Sequence, residues 1–182
     1  MGEGGGAAEK VVEWATQPSK RAFITLIYTR VNLRLARAPD AARLRALADP
    51  SLSPAAIWFL PALWRAAAGR GAVVVAEGFW RGRPRLVGCG SLTLWVHAAE
   101  IADLQVLTGW RDRGIGRALI RALEGEAARL GAGRVEIGAA ASNLRARALY
   151  ERLGYAPARV VSMALPLGEE DVTILEKPLP PA

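Results

Sequence analysis

The sequence predicts an α+β fold with a mixed sheet, on three observations. Strand-length apolar runs separated by turn residues fill the first part of the chain. A strand–helix–strand–helix segment follows, over residues 100–153. The longer of its two helices repeats apolar residues at helical spacing, as a helix with one buried face does. At 182 residues the chain has the length of one domain and can bury a substantial core.

Residues 1–8 are glycine-rich and read as flexible, residues 10–14 fit a short helix or a strand, and the apolar run 22–28 reads as a strand. Residues 1–30 are set apart as an N-terminal extension, and 31–179 are taken as the folded domain. Residues 31–35 alternate as a strand, and Asp40 after Pro39 starts a helix toward Leu47. Ser51, Ser53 and Pro54 open a second helix carrying Ile57, Leu60, Leu63 and Trp64. Strands 73–77 and 85–95 flank a polar turn at 81–84, and 100–107 is a further strand. Along the helix 114–130, Leu119, Leu123, Ala127 and Leu130 share one side, which leaves Arg117, Arg121, Glu124 and Arg129 to solvent. Gly131 ends it. A strand at 134–138, a helix at 143–153 closed by Gly154, and strands at 160–165 and 172–176 complete the chain.

No run reaches the ~18 apolar residues of a membrane span. The run 22–28 lies behind a glycine-rich, non-basic start, unlike a signal peptide, so a cytoplasmic protein without a membrane partner is expected. One cysteine and one histidine exclude an intramolecular disulfide and a Cys/His zinc site, and no metal is expected. Cys89, between Gly88 and Gly90, reads as a small buried hydrophobe. The formal charge is +7, and all but three of the 24 basic residues are arginine. They are scattered rather than gathered in a stripe, so a nucleic-acid partner is not favoured. Trp64 and Trp95 stand in apolar runs and read as core.

Chemistry concentrates after Glu100. Gly114 and Gly116 lack Cβ and stand where a helix begins, so backbone can lie close to a ligand. A helix start offers unpaired N–H groups and roughly half a positive charge. Arg111 and Arg113 add full charges, and the best-fitting guest is a phosphate or pyrophosphate. On the next helix Asn143 and Tyr150 are seven residues apart, within about 20° on one face. Asn143 also suits an N-cap, and Tyr150 also suits packing among Ala146, Leu149 and Leu153.

Arg111-x-x-Gly114-x-Gly116 after an apolar strand, followed by Asn143-Leu-Arg-Ala-Arg-Ala-Leu-Tyr150-Glu-Arg-Leu-Gly-Tyr155, resembles the GNAT superfamily of acetyl-CoA-dependent N-acetyltransferases over residues 31–179. The resemblance implies a mostly antiparallel central sheet flanked by helices, with acetyl-CoA as cosubstrate. Its ligands would be Leu104, Gln105 and Val106, then Arg111, Asp112, Arg113, Gly114, Ile115, Gly116, Arg117 and Ala118, with Asn143 and Tyr150. A backbone N–H near Leu104 to Val106, where the strand splays from its neighbour, would receive the oxyanion. The partner would be a primary amine of a small molecule or peptide, attacking the thioester directly in a ternary complex. Tyr150 would protonate the leaving thiolate, and Glu100 would take the proton of the ammonium. Asp103 is the alternative base, on the opposite face of a regular strand unless a bulge turns it. The acceptor surface implied is 55–64 with the turns near Trp80, Trp95 and His97. A homodimer stays open.

Some positions depart from the family pattern. Gly138 replaces the glutamate base of the branch that acetylates ribosomal-protein N-termini, which argues against that branch's substrate. Asp112 replaces a usual glycine, and Thr108 and Gly109 replace a usual proline and acid. Two rival readings remain. A dinucleotide-binding oxidoreductase would use Gly114-x-Gly116 with Glu136, but Leu119 occupies its third glycine position. A basic RNA-binding module is the other.

Overall fold

The computed structural model describes residues 31–47, 59–165 and 168–180. The strands are β1 (Asn32–Leu35), β2 (Gly71–Trp80), β3 (Arg83–Leu94), β4 (Ala99–Val106), β5 (Arg134–Ala140), β6 (Ala156–Leu165) and β7 (Gly168–Pro178). They form one seven-stranded sheet in the order β1-β2-β3-β4-β5-β7-β6. Helices α1 (Asp40–Leu47) and α2 (Phe59–Ala67) precede β2, α3 (Ile115–Arg129) links β4 to β5, and α4 (Leu144–Arg152) follows β5. Of the described strands only β4 and β5 run parallel, because α3 is a crossover that returns the chain to its starting end. The α+β expectation, with a mixed and mostly antiparallel sheet, holds.

Strand alternation sends successive side chains of β2 to two apolar layers. Val74 and Ala76 join Leu92, Ile101 and Ile137 beneath Leu119, Leu123 and Ala127 of α3. Val73 and Val75 join Leu86 and Cys89 beneath Leu44 and Leu47 of α1 and Ala62 of α2. Cys89 is buried as expected, and desolvation pushes its thiol up to about 12, which keeps it a protonated, inert side chain.

Several expectations need correction. β2 extends well beyond its expected 73–77 and β3 starts at Arg83 and stops at Leu94, because Arg81 and Gly82 (φ 50° and 76°) make a tight two-residue turn that carries polar residues into the ladder. Glu124 is buried, not solvated: Lys177 of β7 donates to it at 2.9 Å and Arg121 at 3.0 Å. Trp64 and Trp95 are 77% and 56% exposed rather than core. The expected extension 1–30 and the helix start at 51–58 lie outside the described residues. No described helix is long and apolar enough to cross a membrane.

Candidate active site

A 3-10 turn at Thr108–Trp110, not foreseen from the sequence, carries the chain from β4 to α3. Trp110 lies against Gly78 of β2, where an added Cβ would stand 2.8 Å from the indole. Arg113 stacks on that ring at 5.3 Å, and Arg111 Nε donates to the Val106 carbonyl at 3.1 Å. Asp112 holds a left-handed φ of 61° and pairs with Arg145 of α4, joining the loop to the neighbouring helix. Gly114 is the N-cap of α3, with φ 77° and no side-chain cap. A Cβ there would meet nothing within 4 Å, and one at Gly116 would only touch Leu149 at 3.6 Å. Ile115 and Ala118 are buried and anchor the first turn, while Arg117 is exposed. Uncapped N–H groups beside open space and three nearby arginines fit a pyrophosphate.

β4 pairs with β5 only over Ala99–Ile101, yet continues along β3 to Val106. The two parallel strands therefore part beyond Ile101, with Leu104, Gln105 and Val106 on the splayed stretch. Leu107 N–H donates to Val87 of β3 at 2.9 Å, so strand alternation turns the Val106 N–H toward the opening. That donor faces the wedge, where β4 and β5 no longer pair.

α4 flanks this region, with Leu149 beside Gly116. Asn143 does cap it: Oδ1 accepts from Ala146 N–H at 3.1 Å, which leaves its amide NH2 to donate elsewhere. Tyr150 is buried, its ring centroid 6.3 Å from that of Tyr155. Burial pushes its pKa up to about 12, so the phenol remains protonated through the neutral range.

The carboxylates occupy the sheet face away from α3. Cys89 opposes Gln105 and Ser91 opposes Ala102, so a single β3 residue faces two on β4. Asp103 sits at this bulge with φ 58°. The extra residue turns its side chain to the face of Ser91 and Glu100, where Ser91 Oγ donates to Oδ2 at 2.5 Å. The opposite-face expectation for a regular strand is thus overturned. Burial, aided by the Glu100 charge, outweighs the Ser91 hydrogen bond and the Arg65 charge, and pushes the Asp103 carboxyl up to about 6. Glu100 is exposed and its Oε2 accepts from Trp95 Nε1 at 2.7 Å. Ser91 and Arg65 were missed by sequence reasoning. They lie on β3 and α2, and no local spacing links them to β4. Glu136, the acid of the dinucleotide reading, is instead tied to Arg159 at 2.6 Å on the β6 side.

The model of the Acetyltransferase (GNAT) family matches residues 41–155, more than half of the chain. The chain belongs to this family of acyltransferases. Solved structures share its fold. The ribosomal-protein-S18-alanine N-acetyltransferase of Escherichia coli is 20% identical, with a TM-score of 0.65, over 84% of this chain and 96% of that one. The yncA protein of Salmonella typhimurium, solved with its cofactor acetyl-CoA, is 21% identical, with a TM-score of 0.67, over 82% and 94%. The spermidine N-acetyltransferase of Vibrio cholerae, solved as a mutant, is 18% identical, with a TM-score of 0.65, over 81% and 93%. No curated protein matches the chain. The single parallel pairing among the described strands and the engaged Glu136 do not favour the dinucleotide reading.

Proposed function

We propose that this protein transfers the acetyl group of acetyl-CoA to a primary amine, by direct attack within a ternary complex. One observation carries the reading: the wedge between β4 and β5 opens beside the uncapped α3 N-terminus at Gly114. The first turn of α3, with Arg111, Arg113 and Arg117, would hold the pyrophosphate, and Asn143 would donate to the pantetheine arm. Val106 N–H would receive the carbonyl oxygen as it becomes an oxyanion.

An alkyl ammonium has a pKa of about 10.4 and must lose a proton before attack. Asp103 and Glu100 share the face that the amine would approach. Asp103 is the better-matched acceptor, because a pKa near working pH suits a general base. The amine nitrogen then bonds to the acetyl carbon, the C–S bond breaks, and the second nitrogen proton passes through solvent to restore the phenol of Tyr150 as the amide forms. Tyr150 donates to the departing thiolate. At about 12 it is a weak acid, and its donation would be coupled to departure of the thiolate.

Acetyl-CoA at about a hundred times its Kd should stabilise the fold by about 2.7 kcal/mol, raising the melting temperature by roughly 5–10 °C. NADH should not. A flat response to millimolar acetyl-CoA would end this reading.

A further inference from the structure

Arg65 has no part in the chemistry above, and its placement is unusual. On α2, Leu63, Ala66 and Ala67 line the groove toward β1. Arg65 lies one turn on from Ala62, which packs with Leu86 and Cys89 of β3, and Cys89 Sγ in turn touches the Asp103 carbonyl at 3.8 Å. Its Nε is buried and has no hydrogen-bond partner among the described residues. A buried guanidinium nitrogen without a partner is costly, and a carboxylate brought to this guanidinium would offset part of that cost. Asp103 is within reach of the Arg65 charge, yet no ion pair joins the two. One oxygen of Asp103 is already held by Ser91. Cation and carboxylate thus bear on the same region without satisfying each other, and the exposed Trp95, which donates to Glu100, adds an apolar surface on that face.

We propose that the acceptor is an amine carrying its own carboxylate, an amino acid with an apolar side chain, whose ammonium meets Asp103 and whose carboxylate meets Arg65. This rests on the acetyltransferase reading and narrows its substrate. A zwitterion answers both charges at once, whereas a polyamine would set a second cation against Arg65. A guanidinium–carboxylate contact also fixes the direction in which the amine points.

The test uses the full chain with acetyl-CoA and matched acceptors: phenylalanine, phenylalaninamide and phenethylamine, then leucine, leucinamide and isopentylamine. Thiol release is followed for each. The carboxylate member should be preferred in kcat/KM by about ten- to a hundredfold over its amide, the range of a hydrogen bond to a charged group. Arg65→Gln should collapse that ratio toward one, mainly through KM of the carboxylate member. If Arg65 serves only as a counter-charge to Asp103, Arg65→Gln will move the pH profile and leave the ratio intact, which overturns the proposal. Equal use of amide and acid, or no turnover of any carboxylate-bearing acceptor, overturns it too. In each case a retained acetyl-CoA melting shift leaves the parent reading standing, and its loss in the unaltered protein removes both.

Discussion

From Val106 to Ala118 a continuous stretch of chain forms the proposed anion cradle, whereas the carboxylate corner gathers Arg65 from α2, Ser91 from β3, and Glu100 and Asp103 from β4. The first presents mostly backbone: N–H groups, a left-handed glycine and the end of a helix. The second presents side chains that converge only because β4 bulges. Backbone-built sites depend on conformation and tolerate little at their glycines. Side-chain-built sites depend on charge and burial, and can be retuned one residue at a time.

The largest expected effect lies on the backbone side. Gly114→Val should abolish the acetyl-CoA melting shift, since a β-branched residue strains φ 77° and its side chain would enter the cradle. Gly114→Asn tolerates that φ and should fold, yet still bind poorly. Full binding by the asparagine variant would break the distinction. Next, Tyr150→Phe should slow single-turnover acetyl transfer roughly ten- to a thousandfold while leaving acetyl-CoA affinity near its starting value. An equal fall in both would make the tyrosine a packing residue.

On the side-chain side the signature is pH. The folded carboxyl of Asp103 titrates at about 6, above its ordinary 3.8, so it is at home protonated. Its contribution to stability is complete below 3.8 and is lost as pH rises through about 6. Asp103→Asn should therefore melt higher than the unaltered protein at pH 7.5, by on the order of 2–3 kcal/mol, with the gap closing below about pH 4. The same variant should lose the limb near pH 6 in kcat/KM. If Glu100→Gln removes that limb and Asp103→Asn keeps it, the two carboxylates exchange roles. The smallest effect is at Asn143: alanine should cost about 1 kcal/mol for the lost cap, read as a drop of roughly 2–4 °C. Asn143→Ser should restore the cap. Acetyl-CoA affinity that stays low in the serine variant would show that the amide also touches the cosubstrate.

Sequence made the cradle legible because its determinants are local. Gly114, Gly116 and Asn143 declare helix starts within a few residues, and Leu119, Leu123 and Ala127 declare the face that α3 buries. The corner was much less legible. Nothing in Ala102-Asp103-Leu104 marks a bulge, beyond the tolerance of aspartate for positive φ. Glu124 looked solvated because the lysine that accompanies it underground lies on β7. Trp64 and Trp95 looked like core because apolar neighbours predict burial only when the segment's other face is already covered. In each case a partner distant in sequence decides the outcome.

Gly78 has a consequence that reaches far from its own strand. The indole of Trp110 rests in the notch where a side chain is missing, and Arg113 rides on the indole. A single methyl at residue 78 would displace the ring and carry the cationic rim of the loop outward with it, while the left-handed turn at Gly114 kept its form. Under the proposed reading, position 78 would be a tuning screw for coenzyme affinity. If the loop holds acetyl-CoA as proposed, inherited drift there would register as a changed appetite for it, in a protein whose motifs all read as intact.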